Sequence, residues 1–256
     1  MTLFSLTDVT VDVPGRRLLP GVTLDVPKGK LVALIGHNGS GKSTLLKTLA
    51  RQMPMSGGAV RLDGRDLAAW PARDFARRLA FLPQTTPPAD GMTVRELVAL
   101  GRYPWHGALG RFGPDDHAAV ARALSECGVD GLADRLVDTL SGGERQRAWL
   151  AMMVAQGAEA LLLDEPISAL DVSHAVEVMA LVHAMCQQQG RSAVIVLHEV
   201  NMAARYCDHV IALRQGTVVM EGPPADLMRP DTLREIYGLP MTVLSRADGS
   251  PVAVPA

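Results

Sequence analysis

Short apolar runs of strand length alternate with longer amphipathic stretches along this chain, the pattern of an α/β protein. Leu31 to Ile35 (LVALI), Ala160 to Leu163 (ALLL) and Ala193 to Leu197 (AVIVL) are apolar at every position. Strands read this way when a parallel sheet is covered on both faces. The early segment differs. Val9, Val11 and Val13, then Val22, Leu24 and Val26, alternate with mostly polar residues, which predicts half-exposed antiparallel strands. From Thr86 to Ala155 the period lengthens: VRELVALGRY, HAAVARALSECG and ERQRAWLAMMVAQ predict helices, with turns at Gly91, Gly107, Gly110 and Gly113. The expected organisation is one domain over 1–241, with an α/β core from 1–85 and 158–241 and a helical subdomain inserted at 86–157. A tail over 242–256 follows, and its Pro- and Ala-containing end is expected to lack order.

Composition narrows the picture only slightly. Hydrophobic residues make up 48% and charged residues 20% of the 256, enough for a sizeable core. A net charge of -2 gives no electrostatic reason to expect a nucleic-acid partner. Cys127, Cys186 and Cys207 are scattered and form no CxxC pair, which argues against a disulfide framework or structural zinc and fits a reducing compartment. No apolar stretch approaches the ~18 residues of a membrane span. The start, MTLFSLTDVTVDV, lacks the basic and apolar regions of a secretory signal, so a soluble chain is expected.

Chemistry enters at Gly36 to Ser43, GHNGSGKS, which matches the phosphate-binding pattern GxxxxGK[ST]. A buried strand leads into it and STLLKTLA leaves it as a helix. Gly36, His37, Asn38, Gly39, Ser40 and Gly41 wrap the phosphates, and Lys42, Ser43 and Thr44 open the helix, whose N-terminus favours anions. Lys42 can reach the β- and γ-phosphates of ATP, and Ser43 can offer its hydroxyl to Mg²⁺. An ordinary glycine-rich turn is the competing reading, and the strand-loop-helix context speaks against it.

LLLDEP places Asp164 and Glu165 at the end of another buried strand, where α/β proteins bind ligands. Asp164 suits a Walker-B role on Mg²⁺, and Glu165 that of general base toward the attacking water. Against this stands an acidic cap on the helix predicted at SALDVSHAVEVM. Further back, LSGGERQR (Leu140 to Arg147) carries a capping box, Ser141 and Glu144, around Gly142 and Gly143. The small glycines leave helix N–H groups accessible, so a second anion site is expected there.

With Gln84 in AFLPQ, ISALD ending at Asp171, and His198, these motifs run from Gly36 to His198 in an order that resembles the ABC ATPases. The resemblance implies a P-loop NTPase core with a mostly parallel sheet, an antiparallel N-terminal β portion and an inserted helical subdomain. It implies hydrolysis of Mg-ATP, with Lys42, Gln84, Glu165 and His198 catalytic, and Ser43, Gln84 and Asp164 toward Mg²⁺. Ser141, Gly142, Gly143 and Glu144 would cover ATP held by a second copy in a two-fold dimer, with Asp171 at the shared interface. A helix-capping Asp171 and a structural His198 compete with those roles.

GMTVRELVALGRYPWHGALGRFGPDD (Gly91 to Asp116) and VLHEVNMAARYCDHV further resemble ATPases of metal-chelate importers, those for ferric hydroxamate siderophores above all. Heme and cobalamin importers share less of that wording. The resemblance implies integral membrane permease subunits as partners, a substrate-binding protein indirectly, and a peripheral place on the cytoplasmic face of the bacterial inner membrane. Ordinary packing competes as the role of Tyr103, Trp105 and Phe112. Three positions depart from the family: Val13 where an aromatic commonly stacks on adenine, with Arg16 as a substitute; Ile167 for the usual Thr; and Glu199 for the usual Asp. The alternative class, a soluble ABC ATPase acting on nucleic acid or ribosomes, would need a basic surface or a second cassette, and the sequence offers neither.

Overall fold

A computed structural model describes residues 1–107 and 110–256; Ala108 and Leu109 of the GRYPWHGALGRFG stretch lie outside the described residues. The chain opens with β1 (Thr2–Val13), β2 (Arg16–Pro27), β3 (Leu31–Ile35), α1 (Lys42–Leu49), β4 (Gly57–Leu62) and β5 (Arg65–Asp66). It continues through α2 (Ala72–Arg78), β6 (Leu79–Leu82), α3 (Val94–Leu100), α4 (Tyr103–His106), α5 (Pro114–Glu126), α6 (Gly142–Gln156) and β7 (Ala160–Leu163). After α7 (Val172–Gln189) come β8 (Ser192–Val196), α8 (Val200–Tyr206), β9 (His209–Arg214) and β10 (Thr217–Gly222). The chain closes with α9 (Pro224–Leu227), α10 (Pro230–Tyr237), β11 (Met241–Ser245) and β12 (Pro251–Pro255). Two compact units result, residues 1–69 with 182–256 and residues 70–181.

The first unit carries the alternating and the continuous apolar strands. β1 pairs antiparallel with both β2 and β4, and buries Val9 and Val11 while Val13 is exposed at the hairpin end. β3 lies between β8 and β9, parallel to both, and every residue of β3 is 0–1% exposed. That burial explains why LVALI has no polar position: neither face meets water. β10 adds an antiparallel edge on β9.

The tail is ordered, contrary to the expectation. β11 and β12 form an antiparallel hairpin from Met241↔Pro255 to Ser245↔Pro251. Asn201 on α8 holds it through two bonds: the Ala253 N–H donates to Oδ1 at 2.8 Å and Nδ2 donates to the Ala253 carbonyl at 3.0 Å.

In the second unit β6 and β7 pair in parallel and α3, α5 and α6 pack together. It is wider than the helical stretch 86–157, because both strands and the start of α7 belong to it. Thr93 and Glu96 close α3 at its start with a reciprocal capping box. Arg102, nearly buried, meets Asp116 at 2.9 Å and donates to the Ala155 carbonyl, joining α5 and α6. The Trp105 ring faces the guanidinium groups of Arg77 and Arg102 at 4.6 and 4.8 Å, and its Nε1 donates to the Gln156 carbonyl at 2.7 Å. Phe112 packs edge-on between His106 and His117. Packing therefore accounts for Trp105 and Phe112, while Tyr103 is 55% exposed.

Candidate nucleotide site

The loop Gly36 to Gly41 leaves β3 and enters α1 with its geometry set by its neighbours. Gly36 has φ 139°, and a Cβ there would lie 2.1 Å from the Leu213 carbonyl of β9, so no side chain fits. The Gly216 N–H, from the β9–β10 turn, donates to the Ser40 carbonyl at 2.8 Å and braces the loop's far end. Lys42 is 4% exposed, and its Nζ donates to the carbonyls of Gly36 and His37, each at 2.9 Å. The loop thus curls its carbonyls around its own lysine amine, at the N-terminus of α1, the end of a helix that favours anions. His37, Asn38 and Gly39 form its exposed rim. Ser43 and Thr44 lie in the first turn of α1.

At the hairpin end of the same unit Val13 pairs with Arg16. Both are exposed. His198 sits two residues beyond the end of β8. The strand covers Ser192–Val196, one residue earlier than the apolar run suggested, and Leu197 extends the ladder with one bond to the Leu34 carbonyl. His198 thus stands just past the strand, where the chain turns toward α8.

In the second unit, Asp164 follows β7 fully buried, its N–H donating to the Leu82 carbonyl at 2.9 Å. Glu165 adopts φ 52°, a left-handed conformation that costs a non-glycine residue about 1–3 kcal/mol. The loop holds it there: Ser168 donates to the Glu165 carbonyl from its N–H (3.3 Å) and its hydroxyl (3.1 Å). The side chain is aimed too, since Gln84 Nε2 donates to Glu165 Oε2 at 2.7 Å. A cavity of about 210 Å³ opens here, lined by Gln84, Gly142, Arg145, Gln146, Glu165 and Leu170 among others. Of the second-unit residues picked out in the sequence, Gln84, Glu165 and Gly142 line this space, whereas Asp164, Ser141, Gly143, Glu144 and Asp171 are not part of its lining.

α6 begins with the expected capping box: Ser141 Oγ accepts from the Glu144 N–H, and Glu144 Oε2 accepts from the Ser141 N–H at 2.8 Å. That backbone bond is the main reason the Glu144 carboxyl titrates below its usual range. Asp171 accepts from the His174 N–H (3.0 Å) and the Ser173 hydroxyl (2.8 Å), as a cap does, and both its oxygens lie 2.9 Å from His174 Nδ1. Its carboxyl is pushed far down, the His174 backbone bond first among the causes. The capping role weighed against it in the sequence is thus realised.

His174 itself was not legible as a site residue. A Cβ on Gly143 would stand 2.3 Å from the His174 ring, so the imidazole packs directly on that glycine. Its signal was the glycine's need for a bare α-carbon, and the partner that creates that need is 31 residues away (174 − 143).

Residues 19–168 match the family model described as ABC transporter. The chain is 40% identical to the iron(3+)-hydroxamate import ATP-binding protein FhuC of Bacillus subtilis (strain 168), covering 96% of this chain and 91% of that protein. It is 42% identical to the ferric enterobactin transport ATP-binding protein FepC of Escherichia coli (strain K12), over 91% and 87%. Identity is also 42% to the hemin import ATP-binding protein HmuV of Rhodococcus jostii (strain RHA1), over 92% and 80%. Among solved structures, the fold matches an inward-facing ABC transporter described as of metal-chelate type, with TM-score 0.87 and 23% identity over 100% of this chain and 98% of that one.

Proposed function

The chain belongs to the ABC transporter ATPase family, and from that premise we propose that it energises uptake of an iron-siderophore complex, ferric hydroxamate foremost, through a separate permease. The observation that carries the catalytic part is the Glu165 carboxylate, held by Gln84 beside buried Asp164. A carboxylate so oriented can align water for in-line attack on a γ-phosphate and take its proton. Lys42 binds the β- and γ-phosphates, the loop residues Gly36 to Thr44 wrap them, and His198 contacts the γ-phosphate. The two-fold dimer sets Ser141, Gly142, Gly143 and Glu144 of one copy over ATP held by the other, with Asp171 at the interface.

The hydroxyl of Ser43, the amide of Gln84 and the carboxylate of Asp164 offer only hard oxygen donors, a set that suits Mg²⁺. Among the described residues no cluster of three His, Cys, Asp or Glu competes as a metal site. Bound there with ATP, Mg²⁺ would neutralise phosphate charge. Among the described residues no helix is long and apolar enough to cross a membrane. In this reading the chain is peripheral, bound at the cytoplasmic face of the inner membrane by its permease, to which an external binding protein delivers cargo. ATP binding closes the pair and supplies the conformational work, and hydrolysis reopens it.

A second cargo reading, heme, is favoured by identity to a hemin import protein as high as that to the siderophore relatives. The test is uptake of labelled ferric hydroxamates, ferric catecholates, heme and cobalamin by cells carrying this protein and its cognate permease, beside Glu165→Gln. Hydroxamate uptake that disappears in Glu165→Gln is the expected result. Glu165-dependent uptake of another chelate corrects the cargo, and ATPase activity without any Glu165-dependent uptake overturns the transport reading.

A further inference from the structure

The last helix of the chain reaches the phosphate-binding loop. Tyr237, the final residue of α10, packs edge-to-face on His37, with ring centroids 5.9 Å apart and planes at 69°. The chain then turns at once: Gly238 follows at φ 73°, and a Cβ there would stand 3.7 Å from His37 Nε2. The Tyr237 hydroxyl is buried and has no hydrogen-bond partner among the described residues, so the contact is made by the ring and not by the phenol oxygen. Burial first, and the Glu199 carboxylate second, push this phenol up to about 12.

The consequence runs through the backbone. His37 is exposed on the loop rim, where a side chain without a neighbour would leave the loop free to move. Its carbonyl accepts from Lys42 Nζ at 2.9 Å and from the Ser40 N–H at 3.1 Å. Whatever fixes the His37 ring also fixes the carbonyl that holds the lysine amine. α10 is itself anchored, because Leu233 and Ile236 are fully buried and Arg214 Nη1 of β9 donates to the Glu235 carbonyl at 3.1 Å. Tyr237 is thus a ring on an anchored helix, packed against an exposed residue of the loop.

We propose that Tyr237 is a positioning residue for nucleotide binding: acting through the His37 ring, it sets the shape of the loop that presents Lys42, and so tunes ATP affinity without touching the reacting atoms. This rests on the nucleotide reading above and adds a residue outside the matched segment 19–168 to its site.

The experiment uses the full chain, with mant-ATP titration and steady-state ATP hydrolysis side by side. Tyr237→Ala is expected to weaken mant-ATP binding and raise KM for ATP about 3- to 10-fold, the range of an aromatic pair, with kcat within about 2-fold. Tyr237→Phe keeps the ring and is expected to restore both to wild-type values. In a His37→Ala background, Tyr237→Ala should have no added effect beyond about 2-fold. If Tyr237→Ala does not fold, Tyr237→Leu keeps the volume on α10 without an aromatic edge and is read the same way. Equal losses in Tyr237→Phe and Tyr237→Ala, losses that multiply with His37→Ala, or a fall confined to kcat would each overturn the proposal. Wild-type protein that neither binds mant-ATP nor hydrolyses ATP would instead sink the nucleotide reading on which it rests.

Discussion

Glu165 stands in a backbone conformation that residues with a Cβ avoid, and nothing in its sequence neighbourhood, LLLDEP, announces this. The strain arises from the loop's need to turn the carboxylate toward Gln84 immediately after a buried strand. Replacing it separates backbone from chemistry. Glu165→Gly is expected to be more stable than Glu165→Ala by about 1 kcal/mol, since only alanine keeps the Cβ that the left-handed region penalises. Paired urea denaturations measure this, and equal midpoints would refute the strain. Tyr237 gives a second residue-scale expectation. Its phenol titrates from 10.0 in the unfolded chain to about 12 in the folded one, so burial keeps the neutral form. The stability tied to that neutral form is complete below pH 10 and is lost as pH rises toward 12. Thermal unfolding of wild type and Tyr237→Phe across that window should therefore show a steeper decline for wild type. Parallel curves would mean that burial does not shift the group.

At the scale of elements, the strand-loop-helix around Gly36 to Gly41 and the capped start of α6 were legible because their pattern is local: a glycine-rich turn between strand and helix, and a capping box four residues long. α6 shows how one short motif serves two ends, since Ser141 closes the helix start that the proposed function also points at phosphate. Ser141→Ala should cost about 1 kcal/mol, or about 2–4 °C in Tm for a chain this long, independent of nucleotide. Calorimetry without ATP reads that structural share alone, and an unchanged Tm would mean that the cap contributes nothing. The terminal hairpin was not legible. PVAVP reads as loop, and what orders it is Asn201, some fifty residues earlier, whose amide matches both backbone groups of Ala253. His174 was missed for the same reason, its meaning lying in a glycine on another helix.

For the molecule as a whole, the class of fold follows from alternation of strand-length and helix-length apolar periods, which reports burial directly. Which segments join into compact units does not, since that depends on contacts between distant parts of the chain. β6 and β7 accordingly go with the helices of 70–181, a grouping that no local period encodes. Global integrity has a built-in reporter. Cys127, Cys186 and Cys207 are all buried thiols outside any disulfide; burial pushes Cys186 up to about 12 and Cys207 higher still, with Asp208 adding to both. At pH 7.5 these thiols should react with maleimide only as fast as the protein opens, and denaturant should release all three. Prompt labelling of Cys186 or Cys207 in native conditions would show that this core is not closed. Assembly belongs to the same scale: Glu165→Gln is expected to dimerise with ATP, and sedimentation that shows only monomer at saturating ATP would count against the two-fold sandwich.

The lysine amine curled into its own loop changes what binding means energetically. Lys42 already rests on two carbonyls, so under the proposed function an arriving phosphate does not recruit an idle cation; it outbids an internal partner. Affinity is then the difference between two sets of bonds, smaller than the gross attraction of ammonium for phosphate. The same trade runs in reverse at product release, when the carbonyls stand ready to take the amine back. A site built as an exchange, with a resident competitor of fixed strength, is suited to letting go, and a machine that must cycle depends on that as much as on capture.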